Sequence, residues 1–389
     1  MNERKKQVQL FHNIRWSRYK ARVFSALHSA VQRDELLFDF VQIADTNGHR
    51  AGLSGVDLGY HQYPHELLFE GAYNAVPKQL MARTLFRKVV HSDADLVLIP
   101  GYEKPEYWAM LLAAIVRGKK RAVFCDSTLY DRPQSVVKGL LKRVFFARCD
   151  GIFCYGERAR EFLLHYGVPH RKIFQRYQAA ALPDGYSAAE ARSARLRLAP
   201  PSSEPRFLYV GRLSPEKSLD VLLHAFRSVL DAKPGARLVV VGAGSDGARL
   251  AGLASELGLG GVVEFAGSMG QEALAAQYAR ASCLVLPSRT EPWGLVVNEA
   301  LHYACPVVVS DHCGCVPELV RDGITGFAFR SGDPGDLAAK LLRVADEFGD
   351  PAQVADRCLE VIGQYTPDVA ARQIIEGCRT ILGEGRSAP

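Results

Sequence analysis

From Phe207 onward the chain alternates short β-branched or apolar runs with amphipathic stretches, and this alternation constrains the fold more than any other feature. RFLYV, RLVVVG, VVEFAG, CLVLP, PVVVS and GFAF read as strands, while SLDVLLHAFRSVL, ARLAGLASEL, EALAAQYARA and GLVVNEALHYA repeat apolar residues at helical spacing. Strands separated by helices pair in parallel through crossovers, and a parallel sheet needs cover on both faces. A doubly wound α/β domain is therefore expected.

The preceding half repeats the pattern less regularly. QVQLF, FDFVQIA, ADLVLIP, RAVFCD and DGIFCY read as strands, with helices in YWAMLLAAIV and QSVVKGLLKRVFFARC. A chain of 389 residues also exceeds what one core serves, since single cores stop growing at roughly 250–300 residues. The expected organisation is a first α/β domain over 1–182, a linker and hinge over 183–205 (PDGYSAAEARSARLRLAPPSSEP), and a second domain over 206–365. The segment 366–389 carries a helix and polar tail that can pack on either domain, including back on the first.

Composition excludes several classes. With 48% hydrophobic and 23% charged residues the chain is a folded protein rather than a disordered one. The longest apolar run, WAMLLAAIV from Trp108, stops at Arg117, short of the ~18 residues of a membrane span. The start MNERKKQVQLF lacks a cleavage site, so a cytoplasmic location is expected. Nine scattered cysteines without CxxC spacing read as reduced, mostly buried thiols, and Cys313-Gly-Cys315 reads as a tight turn. Residues 1–196 hold 30 Lys and Arg against 19 Asp and Glu, the remainder 18 against 23, so the basic half is expected to face an anionic surface.

Two loops concentrate chemistry. After RFLYV come Gly211, Arg212, Ser214, Pro215, Glu216 and Lys217, then a helix from about Ser218. Helix N-termini present free N–H groups and a positive dipole end, so Arg212 and Lys217 at this entrance suit a diphosphate. Two solvated surface cations are the plain alternative. After CLVLP the loop PSRTEPWGLVVNEAL sets Glu291 at the turn, Gly294 and Leu295 at the helix start, and Glu299 inside the helix among apolar neighbours. Paired carboxylates accept from sugar and ribose hydroxyls; an N-terminal-turn Glu with a capping partner is the structural alternative. GAGSDG at Gly242–Gly247 matches G-x-G-x-x-G with Glu264 downstream, yet it opens the second βα unit of its domain instead of the first, which weighs against NAD.

GRLSPEKSLDVLLHAF together with EPWGLVVNEALHYACPVVVSD resembles the donor domain of retaining family 4 glycosyltransferases of the GT-B fold, and Glu291 and Glu299 match their E-x7-E motif. The resemblance implies two doubly wound Rossmann-like domains facing a central cleft. It implies that Arg212 and Lys217 neutralise the diphosphate and that Glu299 accepts from the ribose. Glu291 would contact the transferred sugar, amides near Gly294 and Leu295 would assist, and Met269 would lie against the base. In the first half HNIRWSRYKARVF, with Asn13 and Tyr19, stands where the family often has a glycine pair. Asp126 stands in place of its histidine and is a candidate for aligning sugar or acceptor, or for capping the turn.

The expected activity is retaining transfer of a hexosyl group from a UDP- or GDP-linked sugar to a glycan, lipid-linked or small-molecule acceptor, in cell-envelope or exopolysaccharide synthesis. A non-catalytic sugar-nucleotide-binding protein and an NAD-dependent oxidoreductase are the alternatives, and nucleic-acid binding is not expected. Asp93-Ala-Asp95 has D-x-D spacing but precedes its strand, and with Arg212 and Lys217 present neither metal nor other cofactor is expected. The basic helix at 134–149 packs its apolar side on its own sheet or lays it on an anionic membrane as a peripheral contact.

Overall fold

The computed structural model describes residues 4–31, 36–48, 55–131, 135–176 and 178–383. The chain divides into two compact units: Met1–Leu129, Pro133–Ala181 and Thr366–Pro389 form one, Tyr130–Arg132 and Leu182–Tyr365 the other.

The first unit runs β1 (Lys6–Ile14), α1 (Arg18–Val31), β2 (Leu36–Thr46), β3 (Glu66–Ala72), α2 (Lys78–Val90), β4 (Leu96–Ile99), α3 (Pro105–Val116), β5 (Lys120–Cys125), α4 (Val136–Ala147), β6 (Gly151–Cys154), α5 (Glu157–His165) and β7 (Ile173–Gln175). Its strands form one parallel sheet in the order β3-β2-β1-β4-β5-β6-β7. LVLI of β4 and GIFC of β6 are buried throughout, as central strands covered on both faces must be.

The second unit opens with α6 (Ala188–Leu198) and continues β8 (Arg206–Val210), α7 (Leu219–Ala232), β9 (Arg237–Val241), α8 (Gly247–Glu256), β10 (Val263–Gly267), α9 (Gln271–Arg280), β11 (Cys283–Leu286) and α10 (Leu295–His302). It ends with β12 (Val307–Ser310), α11 (Val316–Leu319), β13 (Gly326–Phe329), α12 (Pro334–Glu347) and α13 (Pro351–Ile362). Its parallel sheet has the order β10-β9-β8-β11-β12-β13, the two-way winding of dinucleotide-binding folds.

Three local readings of the sequence change. The stretch 183–205, read as a linker, carries α6, which packs on α9 and α13 within the second unit. Arg195 of α6 is buried and donates to the carbonyls of Ala279 and Ala281, while Arg192 pairs with Asp356 of α13 at 2.6 Å. The buried face of α6 is only Ala191 and Arg195, so no apolar periodicity announced it. The edge strands β3 and β7 were unread because ELLFEGA is half-exposed and carries two carboxylates, and IFQ is three residues long.

The third change concerns α4, whose first residue in the sequence reading, Gln134, lies outside the described residues. Of its apolar side only Phe145 and Phe146 are buried, whereas Val136, Val137, Leu140 and Leu141 are 92, 73, 64 and 53% exposed. The apolar face extends beyond the sheet it was expected to cover.

Among the described residues no helix is long and apolar enough to cross a membrane. All nine cysteines are buried thiols outside any disulfide. The last helix, α14 (Pro367–Leu382), closes the first unit. Thr366 caps it, accepting from the Val369 N–H, and Ala370, Ala371, Ile374, Ile375 and Cys378 join the core with Val23, Phe24 and Leu27 of α1. Ile374→Ala should destabilise the protein by about 2–5 kcal/mol, the range for emptying a buried aliphatic site. Denaturant unfolding with an unchanged m-value measures it, and a loss below about 1 kcal/mol contradicts the assignment of α14 to this core.

Candidate functional site

In an open parallel sheet the connections leave in opposite directions on either side of one strand pair, and ligands bind outside the carboxyl ends of that pair. In the second unit the pair is β8 and β11. Gly211 ends β8 and its N–H donates to the Val241 carbonyl at 3.0 Å, as Leu213 N–H does to Ala243. Gly242 has φ of 135° and a Cβ built on it would lie 1.8 Å from the Gly211 carbonyl oxygen. The glycines of GAGSDG thus let two loops touch, and Glu264 on β10 faces Arg206 at 3.7 Å. Nothing in this arrangement reserves the loop for a dinucleotide.

Arg212 is exposed, with its guanidinium 3.2 Å from Glu216, whose carboxylate also accepts from Ser214 at 2.7 Å. A 3-10 turn over Pro215–Lys217 leads through Ser218, in left-handed backbone with φ of 51°, into α7. Lys217 forms an ion pair with Glu291, both side chains largely enclosed at 13 and 17% exposure. The backbone repeats this bridge, since Arg289 N–H donates to the Glu216 carbonyl at 2.9 Å. The loops after β8 and β11 are therefore tied together at the switch point, and the two groups expected separately at phosphate and sugar meet there.

The Glu291 loop is held from beneath. Gly314 N–H donates to the Glu291 carbonyl at 2.9 Å and Cys315 N–H to the Trp293 carbonyl at 3.0 Å, so Cys313-Gly-Cys315 is a supporting turn with buried thiols. Trp293 donates from Nε1 to Asn298 Oδ1 at 2.8 Å, fixing the loop to α10. Gly294, with φ of 100°, precedes α10; a Cβ there would lie 2.9 Å from Leu286. Of the first-turn N–H groups, that of Val297 donates to the Gly294 carbonyl at 2.8 Å, while those of Leu295 and Val296 precede any carbonyl the helix could offer them.

Glu299 follows one turn later and accepts from the Tyr278 hydroxyl at 3.1 Å. Enclosure by protein raises its pKa to about 7, against the opposing effect of the Tyr278 bond. Tyr278, which stacks on Tyr303 with centroids 5.5 Å apart, had no sequence signal of its own. Met269 lies half-buried after β10, whose Gly267 carbonyl accepts from Gly242 N–H at 2.8 Å. Arg212, Lys217, Glu291, Gly294, Leu295 and Glu299 thus follow β8 and β11, and Met269 lies two strands away along the same edge.

In the first unit the switch lies between β1 and β4. Asn13, Tyr19 and Asp126 line one cavity of about 220 Å3 there, together with His12, Lys20, Phe124, Tyr155 and Arg176. Tyr107 donates to Asn13 Oδ1 at 2.5 Å, and Asp126 is exposed just beyond β5. Burial, followed by the Lys20 charge, pushes the His12 imidazole down to about 3, so it is neutral at pH 7. A larger hollow of about 610 Å3, beside Asp39, Glu66 and Asp93, opens at the amino ends of the strands, where doubly wound sheets do not bind ligands.

Residues 192–355 match the family described as glycosyl transferases group 1. The chain is 33% identical over 280 residues to D-inositol 3-phosphate glycosyltransferase of Streptomyces scabiei, an alignment covering 68% of this chain and 62% of that one. It is 37% identical over 279 residues to the protein of the same name from Streptomyces bingchenggensis, covering 67% and 59%. The chain spans about three fifths of the length of these curated relatives. Among solved structures, Anabaena Alr3699/HepE in complex with UDP and glucose superposes with a TM-score of 0.71 at 18% identity, over 96% of this chain and 100% of that one. The lipopolysaccharide outer core galactosyltransferase WaaB superposes with a TM-score of 0.71 at 15% identity, over 96% and 99%. With both sheets wound as described and the switch-point loops bearing the motif residues, residues 192–355 belong to the glycosyl transferases group 1 family, and the chain has the GT-B fold.

Proposed function

We propose that this chain is a retaining glycosyltransferase that moves a hexosyl group from a UDP- or GDP-linked sugar to a glycan, lipid-linked or small-molecule acceptor, in cell-envelope or exopolysaccharide synthesis. The observation that carries the reading is the junction of Arg212, Lys217 and Glu291 with the N-terminus of α10 at the switch point of the second unit. The superposition on a structure in complex with UDP and glucose supports the donor class.

In this reading the bond between the anomeric carbon and the diphosphate breaks with its electron pair left on phosphate oxygen. Arg212, Lys217 and the first amides of α10 stabilise that growing charge, an interaction strongest in the transition state. The diphosphate takes over Lys217, and Glu291 turns to the sugar hydroxyls. Glu299 accepts from the ribose, Met269 flanks the base, and Asp126 with Asn13 and Tyr19 lies on the acceptor side. The cations and helix end supply the positive charge that other folds obtain from a divalent metal, so donor binding should need none.

Lys217→Ala and Glu291→Ala should each lower donor turnover at least ~100-fold. Near-normal turnover in both contradicts the reading. A thermal-shift series with UDP, GDP and ADP sugars identifies the base, because a ligand of the native state raises Tm with the logarithm of its concentration over Kd. Nucleotide binding should also tighten as pH rises through about 7, since the ribose hydroxyls need Glu299 as carboxylate and its pKa is raised to about 7. The sign for folding is opposite: a carboxyl raised in the folded state loses stability as pH climbs from its unfolded value to about 7. Glu299→Gln should flatten the pH dependence of nucleotide affinity measured by calorimetry; an unaltered slope argues against the ribose contact.

The peripheral membrane contact rests on α4. Four exposed apolar side chains, Val136, Val137, Leu140 and Leu141, stand beside exposed Lys138 and Arg143, the composition of a helix that lies in an anionic lipid surface. The full chain should cosediment with vesicles of phosphatidylglycerol and phosphatidylcholine and not with phosphatidylcholine alone, and Val137→Glu with Leu141→Glu should abolish it. Equal sedimentation of wild type and double variant overturns the contact.

A further inference from the structure

The first unit buries two cations whose only described side-chain hydrogen-bond acceptor is a phenol. Arg176, just after β7, is fully buried, and Lys20 of α1 is 6% exposed. Both donate to the Tyr155 hydroxyl oxygen, Arg176 from Nη2 at 2.8 Å and Lys20 from Nζ in a short contact. Arg176 Nε and Nη1 are buried and have no hydrogen-bond partner. Among the described residues neither cation forms an ion pair, and the nearby carboxylate, Asp126, is exposed beyond β5.

Such a cluster is unfavourable on its own. Each ion removed from water costs several kcal/mol, and two like charges sharing one acceptor repel. The aromatic faces around them return part of this: the guanidinium lies 5.0 Å from the Phe124 centroid and 4.6 Å from that of Tyr155, and such contacts contribute roughly 0.5–2 kcal/mol. Burial and then the Arg176 charge push Lys20 well below its usual pKa. A Met or Leu at either position would fill the space without that penalty, so folding does not explain the pair.

Position points to a ligand instead. Both side chains line the 220 Å3 cavity at the carboxyl ends of β1, β5, β6 and β7, the edge at which doubly wound sheets bind. We infer that this cavity is an oxyanion site in which Arg176 and Lys20 hold a phosphate monoester or carboxylate. Given the glycosyltransferase reading above, on which this step rests, that group belongs to the acceptor. The guanidinium edge of Nε with Nη1 matches two oxygens of one oxyanion, and Lys20 supplies donors to the third oxygen of a phosphate or to a remaining lone pair of a carboxylate. These nitrogens are closed to solvent in the ligand-free fold, so the inference requires the side chains between them and the cavity to move aside when the oxyanion binds. The imidazole of His12, neutral at pH 7, adds a polar contact without charge.

The test uses the full chain and thermal shift at constant ionic strength, with inorganic phosphate, acetate and chloride as probes. Phosphate or acetate should raise Tm saturably where chloride does not, and the stronger of the two names the group. Arg176→Met and Lys20→Met should lose the response while keeping or raising the ligand-free Tm, and Arg176→Met should keep its shift with UDP. Lys217→Ala, in the other unit, should keep the oxyanion response. No saturable response in the wild type overturns the inference, as does a response kept in both Arg176→Met and Lys20→Met or lost only in Lys217→Ala. Loss of the UDP shift in the wild type would instead strike the glycosyltransferase reading and leave the oxyanion result standing by itself.

Discussion

Parallel pairing is the constraint from which both candidate sites follow. Every strand of either sheet must be reached by a crossover, so all strand-to-helix loops gather at one edge, and both sheets reverse their winding beside their first strand. Along that edge the backbone of β1, β4, β8 and β11 is already paired within the sheet, which leaves loop side chains and helix ends to meet a ligand. The second unit places Arg212, Lys217, Glu291 and the start of α10 at its reversal, and the first places His12, Asn13 and Arg176 around its own.

The two edges treat charge differently. In the second unit each cation has a carboxylate beside it, Lys217 with Glu291 and Arg212 with Glu216, so the loops are stable as folded and can exchange one anionic partner for another. In the first unit Lys20 and Arg176 share a neutral phenol, an arrangement whose cost binding an oxyanion would lower. The excess of basic residues in the first half therefore includes two charges that are not surface charges at all.

Much of the second unit is legible in its sequence because its strands are continuous apolar runs and its helices keep a 3.6-residue period. Those patterns report burial directly. Glu291, Gly294 and Glu299 lie within nine residues of one another and Arg212 within five of Lys217, so local spacing already places them on shared loops. The pairing of Lys217 with Glu291 across 74 residues does not follow from either loop alone; it needs β8 and β11 side by side. Helix α6 carries no apolar period because its buried face holds an arginine, β3 none because an edge strand need not be apolar, and β7 is only three residues long.

By itself the sequence determined the doubly wound class, the existence of two α/β units and which residues share the loops after β8 and β11, since periodicity and short-range spacing encode these. Only the tertiary structure decided that α14 returns to the first unit, that α4 leaves four apolar side chains in the open, and that Lys20 and Arg176 meet at Tyr155. Lys20 and Tyr155 are 135 residues apart, and no local pattern records a contact made by strand order. Burial of a cation is a property of its surroundings, which the chain acquires only when the sheet has assembled.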